Sequence, residues 1–276
     1  MTSHDALPRT YLFVPGTRPE RFAKALASGA DRIVLDLEDS VAFEDKKLAR
    51  DGIARWLSNA AAEERARTVV RINDATSAWF RDDLVALQDC GCTQLLLPKA
   101  EEAGQLAAVV AAVPGAQVLA LVESARGVAR VDEVAGAPGV TRLVFGTLDF
   151  ALDLDMDIAE DASGLAYAAS RIAIASRVAG LPAPVAGVTP RLDDVQRLLG
   201  DLALARRQGF GAKLCIHPAQ VATIHSALQP SAQALAWARR VLEADAASPG
   251  AARLDGRMID RPVVAQARRT LGLARD

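Results

Sequence analysis

The chain has 276 residues, of which 51% are apolar and 24% charged, with a formal net charge of −2. That composition supports a large core and excludes an intrinsically disordered chain. Near-neutral charge with no basic stripe excludes the electrostatic footprint of a nucleic-acid binder. Aromatic residues reach only 4% and the apolar content is mostly Ala, Leu and Val, which suits helices packed on a parallel sheet. No apolar run approaches the ~18 residues of a membrane helix. The opening Met1-Thr-Ser-His-Asp-Ala-Leu-Pro8 lacks a basic start followed by an apolar run, so no signal peptide is expected. Cys90, Cys92 and Cys215 point to a reducing cytoplasm, and Cys90-Gly-Cys92 lacks the second Cys or His pair of a metal clip.

In chain order, short apolar runs predict strands at Tyr11–Val14, Arg32–Leu37, Val69–Ile72, Gln94–Leu97, Val118–Val122, Arg142–Phe145, Val185–Val188 and Lys213–Ile216. Helical periodicity fills the intervals at Arg18–Ser28, Asp45–Asn59, Ser77–Asp89, Glu101–Val113, Arg126–Ala135, Leu165–Ala179 and Leu192–Gln208. Several of these end on a glycine. Eight strands alternating with helices predict an α/β fold of the (β/α)₈ barrel type. The rival, a doubly wound sheet, lacks its Gly-x-Gly-x-x-Gly after the first strand.

Beyond the eighth strand come helices at Pro218–Leu228 and Ser231–Ala246, a flexible-looking segment over Ala247–Arg257, then Met258-Ile-Asp260-Arg-Pro262 and a last helix. A barrel is closed by then. The expected organisation is a catalytic barrel over 1–228 and a helical extension or lid over 229–276.

A barrel places its chemistry at the C-terminal ends of its strands. Those ends supply Glu38-Asp39, Arg71, Lys99, Glu123, Asp149 and His217. Glu123 and Asp149 follow neighbouring strands, so both carboxylates emerge at one sheet edge. There they either form a hard oxygen site suited to Mg²⁺ or cap the helices that follow. Arg71 and Lys99 are cations for an anionic substrate, with Arg71 able to grip a carboxylate two-pronged. Lys99 has a competing role as a partner for Glu38. His217 either takes part in chemistry or fixes its loop. The acidic run Asp153–Asp157 is not a calcium loop, because position six from Asp153 is Ile158 and position twelve is Gly164.

These motifs together carry a resemblance. Arg9-Thr-Tyr-Leu-Phe-Val-Pro-Gly16, Val34-Leu-Asp36-Leu-Glu38-Asp39-Ser-Val41, Val70-Arg71-Ile-Asn73 and Leu97-Pro-Lys99 resemble the citrate lyase β-subunit-like group. So do Leu121-Val-Glu123-Ser124, Phe145-Gly-Thr-Leu-Asp149 and Gly211-Ala-Lys213-Leu-Cys-Ile-His217-Pro-Ala-Gln220. The chain thus resembles the HpcH/HpaI aldolase and citrate lyase superfamily over nearly its whole length. That resemblance implies a Mg²⁺-dependent carbon–carbon lyase acting on a CoA thioester of the citramalyl-CoA or malyl-CoA type and yielding a 2-oxo acid. Glu123 and Asp149 would bind Mg²⁺ and Arg71 the carboxylate of the 2-oxo acid half. By their own chemistry, one of Glu38 and Asp39 reaches metal-bound water as a catalytic group while the other caps the helix, and Lys99 binds substrate or pairs with Glu38. Arg18, Arg21 and Lys24 resemble residues that face the CoA phosphates. Asp260, in its Met-Ile-Asp-x-Pro lid, would act in a neighbouring subunit's site, which implies a homotrimer or hexamer. Alternatives are a citrate lyase β subunit working on a carrier-protein thioester and a non-catalytic binding subunit. Two departures matter. The seventh strand, Pro184-Val-Ala-Gly-Val-Thr189, lacks the Ile-Asp pair common in relatives. The pyruvate aldolases of the superfamily share the Glu-to-Asp spacing (149 − 123 = 26), but their histidine after the second strand is replaced here by Asp36-Leu-Glu-Asp39.

Overall fold

The alternating periods of the sequence become eight parallel strands closed on themselves. The structure, a computed structural model, describes residues 7–248 and 253–273. β1 (Thr10–Pro15), β2 (Arg32–Asp36), β3 (Thr68–Arg71), β4 (Gln94–Leu97), β5 (Gln117–Val122), β6 (Val140–Phe145), β7 (Val185–Ala186) and β8 (Ala212–Cys215) pair in sequence order, and β8 returns to β1. All eight lie where the apolar runs predict them, and the fold is a (β/α)₈ barrel. Side chains alternate across each strand. One set, including Tyr11, Val34, Val69, Leu96, Leu119, Val144, Val185 and Ala212, forms a single buried cluster drawn from every strand.

Around the barrel lie α1 (Phe22–Ala27), α2 (Lys46–Asn59), α3 (Ala62–Ala66), α4 (Phe80–Asp89), α5 (Ala103–Ala112), α6 (Ala125–Ala129), α7 (Val131–Ala135), α8 (Thr147–Asp153), α9 (Ala166–Val178), α10 (Val195–Arg207) and α11 (Pro218–Leu228). α2 shows the general rule. It buries Ala49, Ile53 and Leu57, one every four residues, with Lys46 and Arg50 buried beside them, and turns Lys47, Asp51 and Arg55 outward. At the N-terminal mouth the Arg142 guanidinium donates to the carbonyls of Pro8 and Ala183, each at 2.7 Å, and packs over the Tyr11 ring. That end is plugged for stability, which leaves the opposite end for chemistry.

Several barrel elements differ from the sequence expectation. The helix expected over Arg126–Ala135 divides at Arg130, whose backbone leaves the helical region while its side chain binds Glu102 at 2.7 Å. The seventh strand shrinks to two residues. Asp149 lies in the first turn of the short helix α8 and not at a strand end.

By compactness the chain divides within α11, between Ala222 and Thr223. The second unit holds α12 (Ala232–Ala247), β9 (Arg253–Leu254), β10 (Arg257–Met258) and α13 (Arg261–Gly272) around Ala238, Val241, Ile259, Val264 and Ala267. Part of the segment expected to be flexible is an antiparallel hairpin. Asp255 (φ 49°) and Gly256 (φ 76°) form its two-residue turn, the Asp-Gly pair suited to such a link. Residues 249–252 of that segment, and the residues 1–6 read for a signal peptide, lie outside the described residues. Among the described residues no helix is long and apolar enough to cross a membrane.

Candidate active site

The site begins with two strand ends in register. Asp36 closes β2, Arg71 closes β3, and their Cα atoms are paired. Arg71 Nε and Nη2 donate to Asp36 Oδ1 and Oδ2 at 2.6 and 2.7 Å, a two-pronged ion pair with both side chains buried. Burial alone would raise the Asp36 carboxyl. The Arg71 charge and hydrogen bonds from Arg71, Ser40 and Glu38 turn the net shift downward, so the acid is firmly ionised. The Arg71 guanidinium also lies 4.8 Å from the Phe13 ring centre, and its Nη1 reaches Glu38 Oε2 at 2.8 Å and Asp39 Oδ2 at 3.1 Å. The sequence reading gave the forked edge of Arg71 to a substrate carboxylate. In the structure Asp36 holds that edge, and Asp39, with 61% of its side chain exposed, is the partner most easily displaced.

Glu38 is buried between two cations, Arg71 and Lys99, whose Nζ donates to Oε1 at 3.1 Å. Burial, reinforced by the charge of Asp39 and offset in part by Arg71 and Lys99, pushes its carboxyl up to about 7. Behind it Lys46 Nζ donates to the carbonyls of Leu37 and Glu38 and to Asn73 Oδ1, all at 2.7 Å. Asn73 in turn donates from its amide and side chain to Asp83, which Arg50 also binds. This buried chain from α2 to α4 fixes the loop that presents Glu38.

Glu123 leaves β5 beside Lys99. Lys99 has φ 46°, in the left-handed region that costs a non-glycine residue about 1 kcal/mol. The strain aims its backbone N–H at Glu123 Oε1, 2.8 Å away. On the other side Gly146 passes so closely that an added Cβ would lie 2.6 Å from Glu123 Cβ and strike Oε2. Burial, then the nearby charge of Glu38 and less strongly that of Asp149, pushes the Glu123 carboxyl up to about 8.

β5 and β6 are parallel, with Val122 opposite Phe145, so Glu123 and Asp149 do emerge at one edge. Asp149 is half-buried and accepts no hydrogen bond among the described residues. No group of three or more His, Cys, Asp or Glu is placed to hold a metal among those residues. An ion here would therefore take a pair of protein carboxylates and complete its shell with water and substrate oxygens, which is the habit of Mg²⁺. At this mouth Asp36, Glu38, Asp39, Glu123 and Asp149 outnumber Arg71 and Lys99. Burial, reinforced by the neighbouring acids, pushes two of these carboxyls up, Glu38 to about 7 and Glu123 to about 8. The residues fit a divalent cation.

The remaining candidates make other contacts. Arg18 and Arg21 are exposed at the exit of β1 and contact Glu20 only at 3.9 Å; Lys24 is exposed on α1. Exposed His217 accepts the Ala219 N–H at its Nδ1, the loop-fixing role. Asp260 belongs to the second unit. It is exposed and its Oδ1 caps α13 by accepting the Val263 N–H at 3.1 Å. The cysteines are unpaired, and burial pushes the Cys92 and Cys215 thiols up to about 12, which leaves them inert. Asp36, Lys46, Asn73 and Gly146 escaped the reading of the sequence as site residues. Asp36 had a usable signal: an acid two positions before Glu38 in an otherwise apolar strand faces the same way and needs a partner.

A barrel with a plugged N-terminal mouth and a cluster of buried ionisable groups at its C-terminal mouth has its chemistry where barrel enzymes carry it. Comparison narrows the class. The HpcH/HpaI aldolase/citrate lyase family model matches residues 9–218. A citrate lyase subunit beta-like protein of Mycobacterium tuberculosis is 38% identical over 262 residues, covering 93% of this chain and 92% of its own. A (3S)-malyl-CoA thioesterase of Cereibacter sphaeroides is 32% identical over 277 residues, covering 99% and 96%. The crystal structure of CitE from M. tuberculosis with magnesium, acetoacetate and coenzyme A superposes with a TM-score of 0.86 at 36% identity, over 98% of both chains. The chain belongs to the HpcH/HpaI aldolase/citrate lyase family, a family of lyases.

Proposed function

We propose that the protein is a Mg²⁺-dependent carbon–carbon lyase that splits a β-hydroxyacyl-CoA thioester of the citramalyl-CoA or malyl-CoA type into acetyl-CoA and a 2-oxo acid. The supporting observation is the buried Asp36–Arg71–Glu38 array, joined by the exposed Lys99 ammonium, beside Glu123, with Asp149 at the same edge. Its structural relative from M. tuberculosis binds magnesium, acetoacetate and coenzyme A.

Glu123 and Asp149 would hold the ion, which when bound polarises the alcohol and carboxylate oxygens of the substrate. Arg71 neutralises the substrate carboxylate through its Nη1 face once Asp39 is displaced. Glu38, poised near 7 between Arg71 and Lys99, takes the hydroxyl proton. As the C–C bond breaks, its electron pair passes to the α-carbon of the thioester, and a proton from Asp260 of a neighbouring subunit completes acetyl-CoA. Lys99 holds Glu38 and meets the substrate's anionic end. Arg18, Arg21 and Lys24 face the phosphates of CoA. Sharing Asp260 requires a homo-oligomer, a trimer or hexamer. The unpaired cysteines suit a cytoplasmic setting.

The thioesterase relative supports a second reading, hydrolysis of the thioester after the same substrate is bound. One assay separates the readings. Malyl-CoA and citramalyl-CoA are incubated with and without Mg²⁺, and free 2-oxo acid, acetyl-CoA and free CoA thiol are followed. Equal glyoxylate or pyruvate and acetyl-CoA is the expected result. Malate with free CoA thiol marks the hydrolase. Turnover of a citryl carrier-protein thioester alone marks the citrate lyase β-subunit reading, and no turnover of any thioester marks a binding subunit.

A further inference from the structure

The barrel wall is thin at its seventh strand. β7 meets β6 through one register pair, Val144 with Val185. A cavity of about 420 Å³ opens there, bounded by the outer faces of β6, β7 and β8, helix α10 and the loop between α8 and α9. This is within the size range of small-molecule pockets. None of Asp36, Glu38, Arg71, Lys99, Glu123 and Asp149 lines it.

Lys213 of β8 projects into this space. It is 2% exposed, and its Nζ makes one hydrogen bond, to the Gly187 carbonyl at 2.7 Å. An ammonium has three donors. Burial pushes it down to about 8, so it remains mostly charged at neutral pH. The cavity's acids are engaged elsewhere. Asp201 accepts from Thr189 Oγ1 at 2.7 Å and from Arg197 Nε at 2.9 Å. Asp194 caps α10 through the Arg197 N–H. Arg197 also donates to the carbonyls of Ala159 and Ile158 and fastens the loop over the cavity, so its guanidinium is committed. Glu160 and Arg191 are exposed at the rim. The neighbours of Lys213 across its two strand pairs are Ala186 and Thr10, neither of which carries a charge. The rest of the wall is mostly apolar, with Phe145, Leu148, Ala162, Leu165 and Leu204, and Thr147 and Gln208 as its polar members.

A buried cation that forms no ion pair of its own among the described residues, the charge of Asp201 reaching it without a direct contact, matches one class of ligand at the end of this chamber. We propose that this cavity is a second binding site, for an aliphatic monocarboxylate whose carboxylate pairs with Lys213 while its chain packs along Phe145, Leu165 and Leu204. The site is separate from the lyase centre and does not depend on which thioester that centre takes.

The test is isothermal titration of octanoate into the full chain, with octan-1-ol as the uncharged control. One saturable site is expected in the wild type, unaffected by Mg²⁺ with pyruvate. Lys213→Met should weaken binding about tenfold or more, the worth of a hydrogen-bonded charge. Ala186→Asp, which places a carboxylate beside Lys213, should weaken it comparably, and it decides the matter if Lys213→Met does not fold. Leu204→Trp should fill the chamber and abolish binding with Lys213 intact. Equal affinity in the wild type and Ala186→Asp, octanol binding as tightly as octanoate, competition by pyruvate, or no saturable binding would each overturn the proposal.

Discussion

At the scale of single residues, Arg71 already spends its fork on Asp36, and a substrate carboxylate must compete with Asp39. Asp39→Asn removes that competitor's charge. Because Asp39 is largely exposed, the gain is modest: pyruvate should bind about two- to threefold tighter in calorimetry with Mg²⁺ present. Weaker or unchanged binding would show that the carboxylate docks elsewhere. Lys99 performs two separable tasks, one by ammonium and one by amide. Lys99→Gly suits the left-handed backbone and keeps the N–H to Glu123, so thermal stability and Mg²⁺ affinity should stay near wild type. Removing a cation beside Glu38 raises its carboxyl further above about 7, and the acidic limb of the pH–rate profile should move to higher pH. An unmoved limb would exclude Glu38 as the base. Gly146→Ala should weaken Mg²⁺ binding and lower the melting temperature, because the new methyl strikes Glu123. Unaltered Mg²⁺ titration in that variant would separate Glu123 from the ion. The charged residues at strand ends were legible because a barrel concentrates chemistry there. Asp36 and Gly146 were not: one hides its charge in a pair, and the other acts by what it lacks.

At the scale of elements, strands were legible and short helices were not. Short apolar runs bounded by turn residues announce buried parallel strands, whereas α3 and α8 are too short to show a period. The hairpin of β9 and β10 was readable in Asp255-Gly256 and was masked by the Ala/Gly/Pro content around it. Helix α13 bears on the lid. Asp260 caps it, so replacing this residue has two consequences that must be told apart. Asn caps nearly as well as Asp, while Ala costs about 1 kcal/mol. Asp260→Asn should therefore keep the wild-type melting temperature yet lose turnover, and Asp260→Ala should lose both. Mixing Asp260→Asn with Glu123→Gln protein should restore part of the activity if subunits share sites. Full turnover in Asp260→Asn would reduce the residue to a cap.

At the scale of the whole molecule, buried Lys213 ties stability to pH. Its folded-state value of about 8 lies below the ordinary 10.5, so between these values the unfolded chain binds more protons. Its destabilising contribution is fully present below pH 8 and fades as pH rises to 10.5. The full effect is about 3 kcal/mol. Lys213→Met should thus be more stable than wild type at pH 7, with the difference shrinking toward pH 10.5 in chemical denaturation. A constant difference would show that Asp201 offsets the burial of the ammonium. The closure of the barrel has a consequence for its manufacture. β1 is complete by Pro15, but its second partner, β8, is not finished until Cys215. At ribosomal speeds of roughly 5–20 residues per second, one edge of β1 waits tens of seconds for its neighbour. A nascent or truncated chain that stops before β8 presents two open strand edges to its surroundings. Ribosome stalling within α10 would then send more chains to aggregates than stalling after α11.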